Sequence, residues 1–203
     1  MGQPALVKMR NPSAILVSLI PFVALMTMTG SAWGQDGKGL EFNIMESTGL
    51  RMMQDDSWDN VAAQEQFGLQ MDIRPGWAPF ALLIGGNFSA ATNTTGRYDQ
   101  LGTVVDLYVG GRKYIGSSRR ARLFVSGGLA RLAGIMDVTY NGDTTRYEEN
   151  QWGGFLEAGA QLRPGYFRLG ILGRGMISQT KDDSMYDMDH WSIMIVIGFG
   201  KAG

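Results

Sequence analysis

Apolar and polar residues alternate along most of the chain after residue 35. Alternation with a period of two predicts β-strands, and helical periodicity is hard to find anywhere in this part of the sequence. The alternating segments predict eight strands, at residues 39–52, 62–74, 79–91, 98–113, 120–137, 147–162, 165–179 and 189–200. Most are longer than the roughly five or six residues usual in soluble sheets, and they match the span of a strand that crosses a bilayer.

The connections between these segments alternate in kind. Three are tight turns rich in Pro, Gly and Ser, at residues 74–77, 114–119 and 163–165. Four are more polar and mostly longer, at residues 53–61, 92–97, 138–146 and 180–188. This alternation predicts an all-β fold, an eight-stranded antiparallel up-and-down transmembrane β-barrel whose termini both lie beside the short turns. We call its two ends the turn end and the loop end.

Within most predicted strands the apolar side chains share one face. Residues of the last strand that do so are Trp191, Ile193, Ile195, Ile197 and Phe199. A soluble lipocalin-like carrier also alternates, with its apolar face inside. The positions of lysine favour the opposite arrangement, because Lys38, Lys113, Lys181 and Lys201 all lie at strand ends, turns or termini. The pattern therefore predicts an apolar face toward lipid and a polar interior.

Aromatic residues concentrate at both ends of the predicted strands. At the turn end they are Trp77, Phe80, Tyr114, Tyr166 and Phe167, and at the loop end Trp58, Tyr98, Tyr140, Tyr147, Trp152, Tyr186 and Trp191. Outer-membrane barrels carry two aromatic girdles where amphipathic rings meet the membrane interfaces. The distribution therefore favours a membrane barrel over a soluble one.

The fifth segment leaves its orientation open. If Leu123, Val125 and Leu129 point outward, Arg131 also faces lipid. The opposite parity places Phe124, Ala130 and Leu132 outward instead. A β-bulge near residues 127–128 would reconcile the two halves, and the sequence does not choose among these arrangements.

The first residues predict export from the cytoplasm. Lys8 and Arg10 precede an apolar stretch at residues 14–28, and the small residues Ala32 and Gly34 flank Trp33 as at a cleavage site. We expect residues 1–34 to be a secretory signal peptide and residues 35–203 the barrel domain. Without the signal, 16 basic and 19 acidic residues leave a net charge near −3, which argues against nucleic acid as a partner. The chain has no cysteine, which excludes disulfides and thiolate metal sites.

The signal, eight strands, alternating turns and aromatic-capped last strand resemble the small outer-membrane barrel proteins of the OmpA-transmembrane and OmpX type. The resemblance is one of architecture and pattern, and it covers residues 38–200. It implies a bacterial outer-membrane location, contact with outer-membrane lipid, and insertion by the barrel-assembly machinery. In this family the last strand resembles an assembly signal. Ile193, Ile195, Ile197 and Phe199 match that pattern, although residues 200–203 follow the aromatic.

Eight strands enclose a space that side chains alone can fill. Polar residues predicted to face inward are Glu41, Asn43, Arg51, Asp72, Asp106, Arg112, Glu157, Arg168 and Arg174. We expect them to form an interior network of ion pairs and hydrogen bonds. The alternative is a narrow porin, which needs a gap in that network.

His190 and Ser192 are the weak candidates for catalysis. They lie two residues apart on one strand, so both side chains face the same side. A histidine can take the proton of a serine hydroxyl when a carboxylate orients it, and that carboxylate would have to come from Asp187, Asp189 or another strand. The pair is similar to that of outer-membrane lipid A deacylases, which makes a lipid-modifying hydrolase the alternative function. Beyond these two residues the similarity ends, and we expect no enzyme.

The predicted loops are acidic and the turn end is basic. The acidic loop residues are Asp55, Asp56, Asp59, Asp182, Asp183, Asp187 and Asp189, and the basic turn-end residues are Arg74, Arg112, Lys113, Arg119, Arg120, Arg122 and Arg163. Carboxylate oxygens are the ligands that calcium and magnesium prefer, but no spacing resembles an EF-hand loop, so we expect no metal and no cofactor. The favoured function is structural or surface interaction, with an extracellular ligand contacted through the loops.

Overall fold

The computed structural model describes residues 39–95, 98–116, 120–179 and 186–201, and these fold into one closed antiparallel β-barrel. Its strands are β1 (Glu41–Met53), β2 (Ala63–Arg74), β3 (Ala81–Thr95), β4 (Tyr98–Ile115), β5 (Ala121–Tyr140), β6 (Asp143–Leu162), β7 (Phe167–Ser178) and β8 (His190–Lys201). A short 3₁₀ helix, Asp56–Val61, connects β1 to β2. Each strand pairs with its sequence neighbours, and β8 pairs with β1 to close the barrel.

The predicted fold class is confirmed, and strand boundaries agree with the prediction to within about four residues. Two predicted loops are mostly strand. The β3–β4 hairpin extends to Thr95 and Tyr98, and the β5–β6 hairpin turns at Asn141 and Gly142. Both turn residues have positive φ, at 51° and 93°, as a two-residue hairpin turn requires.

The apolar faces of the strands point away from the barrel interior. Ile193, Ile195 and Ile197 are 52%, 52% and 47% exposed, whereas Arg174 and Glu157 are each 3% exposed. β7 and β8 have 12 residues each. Tilted as in other barrels, strands of this length rise about 30 Å, close to the thickness of a hydrocarbon core. The alternative of a soluble carrier with an apolar cavity is therefore wrong. We call the outward apolar surface the apolar band.

β5 runs without a bulge. Its pairing with β4 and with β6 is continuous through Gly127 and Gly128. Leu123, Val125 and Leu129 face outward, and Arg131 does so too. The Arg131 guanidinium lies 5.3 Å from the Trp152 ring centre, at the loop-end edge of the apolar band. The cation–π contact with Trp152 stabilises this outward arginine, and the sequence pattern alone did not indicate that contact.

The aromatic girdles are only partly as predicted. Trp77, Phe80 and Tyr166 are exposed at the turn end, and Trp152 and Trp191 are exposed at the loop end. Other predicted members face the interior, namely Tyr114, Trp58 and Tyr186. The girdle assignment of these three is wrong because inside the barrel their polar atoms find hydrogen-bond partners.

Residues 1–34, expected to be a signal peptide, lie outside the described residues. Among the residues that are described, no helix is long and apolar enough to span a membrane.

Candidate functional site

Six inward charged residues form the middle of the interior. We call them the central network: Arg51, Asp72, Asp106, Arg112, Glu157 and Arg174. Arg112, on β4, joins its two acidic partners. Its Nη1 donates to Asp72 Oδ2 at 2.9 Å, and its Nη2 donates to Glu157 Oε1 at 2.5 Å. Gln70 and Ser126 accept from the same guanidinium at 2.9 and 3.0 Å.

The other half of the central network joins β1, β4, β6 and β7. Arg174 donates from Nε to Glu157 Oε2 at 3.0 Å, and its Nη1 lies 3.8 Å from Asp106 Oδ2. Arg51 pairs with Asp106 as well. The network therefore contains three arginines and three carboxylates, all buried, so its formal charge is zero. Paired and hydrogen-bonded charges of this kind tolerate burial.

Glu41 and Arg168 are the other two charged residues that were predicted to face the interior. They lie nearer the turn end than the central network. Arg168 Nε donates to Asn43 Oδ1 at 2.8 Å, and Asn43 Nδ2 donates to Asp72 Oδ1 at 2.7 Å. Asn43 thus links Arg168 to the central network. Glu41 instead meets Arg74, Arg122 and Arg163, residues that sequence reasoning grouped only as a basic turn end.

The loop-end half of the interior holds an apolar cluster among buried polar residues such as Gln100 and Gln151, and the expected polar interior did not include this cluster. We call Trp58, Val61, Tyr186 and Met188 the loop-end plug; they are 0–4% exposed. Inward residues of the strands that pack in the same cluster are Met53, Leu83, Val104, Tyr108, Ala130, Leu132, Met136, Phe155 and Met176. These apolar positions share the inward parity of the charged residues, so the alternation of the sequence did not separate the two groups.

Hydrogen bonds fix the plug inside the barrel. Trp58 Nε1 donates to the Asp187 carbonyl at 2.9 Å, and the Tyr186 hydroxyl donates to the Gly134 carbonyl at 3.0 Å. The two rings meet edge to face with centres 5.0 Å apart. Burial raises the pKa of Tyr186, which keeps its hydroxyl a donor.

Inward glycines make the room that the plug occupies. A Cβ at Gly102 would lie 2.8 Å from Val61 and 3.0 Å from Trp58, and one at Gly134 would lie 2.8 Å from the Met188 sulfur. Neither position could carry a side chain without moving the plug. The plug therefore fills the loop-end interior, which disfavours the narrow-porin alternative.

His190 and Ser192 are both buried on the inward face of β8. His190 Nδ1 lies 2.9 Å from the Met188 carbonyl oxygen. Among the described residues, His190 Nε2 and Ser192 Oγ have no hydrogen-bond partner, so they do not bond to each other. Asp187 and Asp189, the proposed orienting acids, bond Ser178 at 3.0 and 2.8 Å. This geometry does not assemble a nucleophile, base and orienting acid.

The acidic loop residues serve the loop structure where they are described. Asp55 caps the 3₁₀ helix by accepting from the Ser57 amide at 2.8 Å. Within the described ranges, no group of three or more metal-ligating side chains comes together. Asp182 and Asp183, which belong to the same expectation, lie outside the described residues.

The loop end projects beyond the apolar band as a hairpin. β5 and β6 have 20 residues each, eight more than β7 and β8. Eight residues of tilted strand add about 20 Å of height. Exposed acidic residues on this end are Asp56, Asp59, Asp99, Asp143 and Glu148. Arg146, an exposed cation of the described hairpin, is already paired with Asp137 through two bonds of 2.7 and 2.8 Å.

Glu46 is an unusual residue that sequence reasoning missed. It lies on the outward face of β1, opposite Leu69 of β2 and Ile197 of β8, about midway through the apolar band. No hydrogen bond or ion pair reaches it from the described residues. The signal was present in the alternation of Phe42, Ile44, Glu46 and Thr48, where one charge interrupts the outward face.

Solved structures of bacterial proteins share this fold. The attachment invasion locus protein Ail of Yersinia pestis aligns with a TM-score of 0.57 and 12% identity, over 79% of this chain and 98% of Ail. Its complex with the heparin analogue sucrose octasulfate gives 0.58 and 12%, over 80% and 99%. Neisserial surface protein A gives 0.50 and 6%, over 79% and 96%. No protein-family model and no curated protein matches the chain. The predicted small outer-membrane barrel of the OmpA and OmpX kind is confirmed as a fold.

Proposed function

We propose that this chain is a bacterial outer-membrane protein that presents an acidic contact surface outside the cell and performs no catalysis. The observation that carries the proposal is the projecting β5–β6 hairpin, with the exposed acids around it, on a barrel whose loop-end interior is filled. A barrel built in this way offers its outer end, rather than its lumen, for interaction.

The location rests on the apolar band and on the shared fold. Outward aliphatic residues cover a height close to a hydrocarbon core, and aromatic residues lie at both of its edges. Neisserial surface protein A, which shares the fold, is a surface protein by name, and Ail is named for attachment and invasion. The proposed orientation rests on what extends beyond the band, because the projecting β5–β6 hairpin and the longest connections, between β1 and β2 and between β7 and β8, lie at the loop end. Outer-membrane barrels carry their longer extensions outside the cell, so we assign the loop end to the outside and the turn end to the periplasm.

The chemistry of the contact surface differs from that of a sulfate-binding barrel. Ail was solved with a polysulfated heparin analogue. On this chain, the described part of the loop end exposes several carboxylates, and the cation Arg146 is already paired. Coulomb attraction therefore favours a cationic partner, such as a basic protein segment, over a sulfated one.

Single-cysteine labelling tests the orientation directly, because the chain has no native cysteine. Asp143→Cys lies on the hairpin, and Tyr166→Cys lies at the turn end. A membrane-impermeant maleimide should label the first variant on intact cells and the second only after permeabilisation. The reverse pattern, or equal labelling of both, would refute the proposed outward loop end.

A charge variant tests the contact surface. The purified barrel in a non-ionic detergent should bind immobilised poly-lysine at low salt. Removing the hairpin charges with Asp143→Asn and Glu148→Gln should weaken that binding, whereas Glu65→Gln, an outward acid of β2 below the hairpin, should change it much less. Equal binding by all three proteins would contradict an acidic contact surface at the loop end.

A further inference from the structure

At the turn end of the interior, three arginines contact one carboxylate and a fourth arginine lies near it. We call these residues the mouth cluster: Glu41, Arg74, Arg122, Arg163 and Arg168. Glu41 is 3% exposed and lies at the centre. Its Oε1 accepts from Arg122 Nη1 at 3.0 Å and lies 2.7 Å from Arg163 Nη2, while its Oε2 accepts from Arg74.

The positive charge of the interior is concentrated in this cluster. The central network balances three arginines with three carboxylates. The mouth cluster has four guanidinium groups and the single carboxylate of Glu41, so its formal charge is +3. Arg168 does not offset the imbalance, because its donors go to Asn43 and to backbone carbonyls of residues 165, 167 and 200.

The arginines also hold more donors than Glu41 can accept. Each guanidinium has five N–H donors, whereas a carboxylate offers about four acceptor positions. The Nε atoms of Arg74, Arg122 and Arg163 are buried and have no hydrogen-bond partner among the described residues. Buried donors without acceptors are costly, and a cluster of them beside excess positive charge favours an added anion.

The arginines repel one another in this arrangement. Burial lowers the pKa of Arg163; Glu41 opposes the shift, and the nearby charges of Arg122 and Arg74 add to it. Arg74 and Arg122 are 28% and 19% exposed, so the cluster can be reached from the turn end.

We propose that the mouth cluster is a binding site for a phosphate group. A tetrahedral oxyanion presents several acceptors to guanidinium forks and neutralises the excess charge. Free inorganic phosphate and the headgroup of a phospholipid in the adjacent leaflet share this chemistry. Glu41 would then hold the arginines in place while competing with the ligand for their donors.

The test uses the barrel refolded in a maltoside detergent, which contains no phosphate. Titration with inorganic phosphate, against chloride at matched ionic strength, should show saturable binding by calorimetry and a rise in the unfolding temperature. Arg163→Gln should weaken phosphate binding about tenfold or more, since it removes a charge-assisted contact. Arg146→Gln, at the opposite end of the barrel, is the matched control and should leave binding unchanged.

Glu41→Gln should have the opposite effect on phosphate binding. It removes the competing carboxylate, so phosphate should bind more tightly even though the variant without phosphate is less stable. A folded barrel changes its migration on a gel when it is boiled. If Arg163→Gln does not show this change, Arg74→Gln, at a more exposed position, is used in its place. Equal effects of Arg163→Gln and Arg146→Gln on phosphate binding, or the absence of binding by both inorganic phosphate and the lipid probe phosphatidic acid, would overturn the proposal.

A second arm identifies the source of the phosphate group. Phosphatidic acid added to the micelles should compete with inorganic phosphate through the same arginines if the ligand is a lipid headgroup. Inorganic phosphate binding that phosphatidic acid does not displace supports the free ion. Either result supports the site, and binding of neither ligand refutes it.

Discussion

At the scale of single residues, Arg112 connects several of the buried charged and polar side chains. Its guanidinium contacts Asp72, Glu157, Gln70 and Ser126, which come from three other strands. Parity along β2, β4, β6 and β7 predicts an inward position for Arg112 and for its acidic partners. It could not predict the pairs, because these depend on how far each strand is shifted against its neighbours around the barrel.

We expect Arg112→Met to lower the free energy of unfolding by about 3–5 kcal/mol, because it leaves two buried carboxylates with incomplete partners. Urea unfolding followed by tryptophan fluorescence measures the change. Arg146→Met breaks the exposed pair with Asp137 and should change stability little. Similar losses for both variants would show that the interior pairs matter no more than a surface pair.

Glu46 is a charged residue that interrupts the apolar outer surface of the barrel. A carboxylate on the lipid face near the middle of the band is unfavourable. Glu46→Leu should therefore raise the free energy of unfolding in lipid vesicles by up to about 2 kcal/mol. Glu65→Leu, outward on β2 and closer to the loop-end edge, should give a smaller gain. A loss of stability in Glu46→Leu would instead mean that Glu46 contacts a polar group in the membrane.

At the scale of elements, the parts of the strands that carry the apolar band were predictable and the projecting hairpin was not. Within the band each strand has one apolar outward face and one interior face, so its sequence alternates. Above the band both faces of β5 and β6 meet water, and residues such as Thr139, Asp143 and Thr144 no longer alternate. Polar strand and polar loop then have the same composition, which is why residues 138–146 were predicted as a loop.

The 3₁₀ helix and its Trp58 are a second element that the pattern did not place. A tryptophan near a strand end suggests a girdle, and only the donor–acceptor match with Asp187 and the space left by Gly102 reveal its inward position. To predict the plug from the sequence, one would have to know which residues of β4 lie beside the 3₁₀ helix that carries Trp58.

Trp58→Ala should destabilise the barrel by about 3–5 kcal/mol, because it leaves a large cavity in the loop-end interior. The change is measured by the same urea unfolding. Tyr140→Ala, at the exposed tip of the hairpin, removes an aromatic ring without creating a cavity and should have little effect. A small effect of Trp58→Ala would mean that the plug does not pack as described.

On the scale of the whole molecule, the barrel has three layers from the turn end to the loop end. They are the positive mouth cluster, the neutral central network and the apolar loop-end plug. The alternation of the sequence predicted the closed barrel and its outward face. It did not predict the layers, since one inward parity runs through all three and residue heights emerge only when the strands are paired.

The central claim is that the apolar face contacts hydrocarbon while the charged face is enclosed. Site-directed spin labelling of Ile193→Cys, Ile195→Cys and Ile197→Cys in lipid vesicles tests it most directly, with Tyr140→Cys as the water-exposed control. We predict strong relaxation of the three β8 labels by oxygen dissolved in the membrane and weak relaxation by a water-soluble nickel complex. Accessibility of those labels to the nickel complex at the level of Tyr140→Cys would contradict the account.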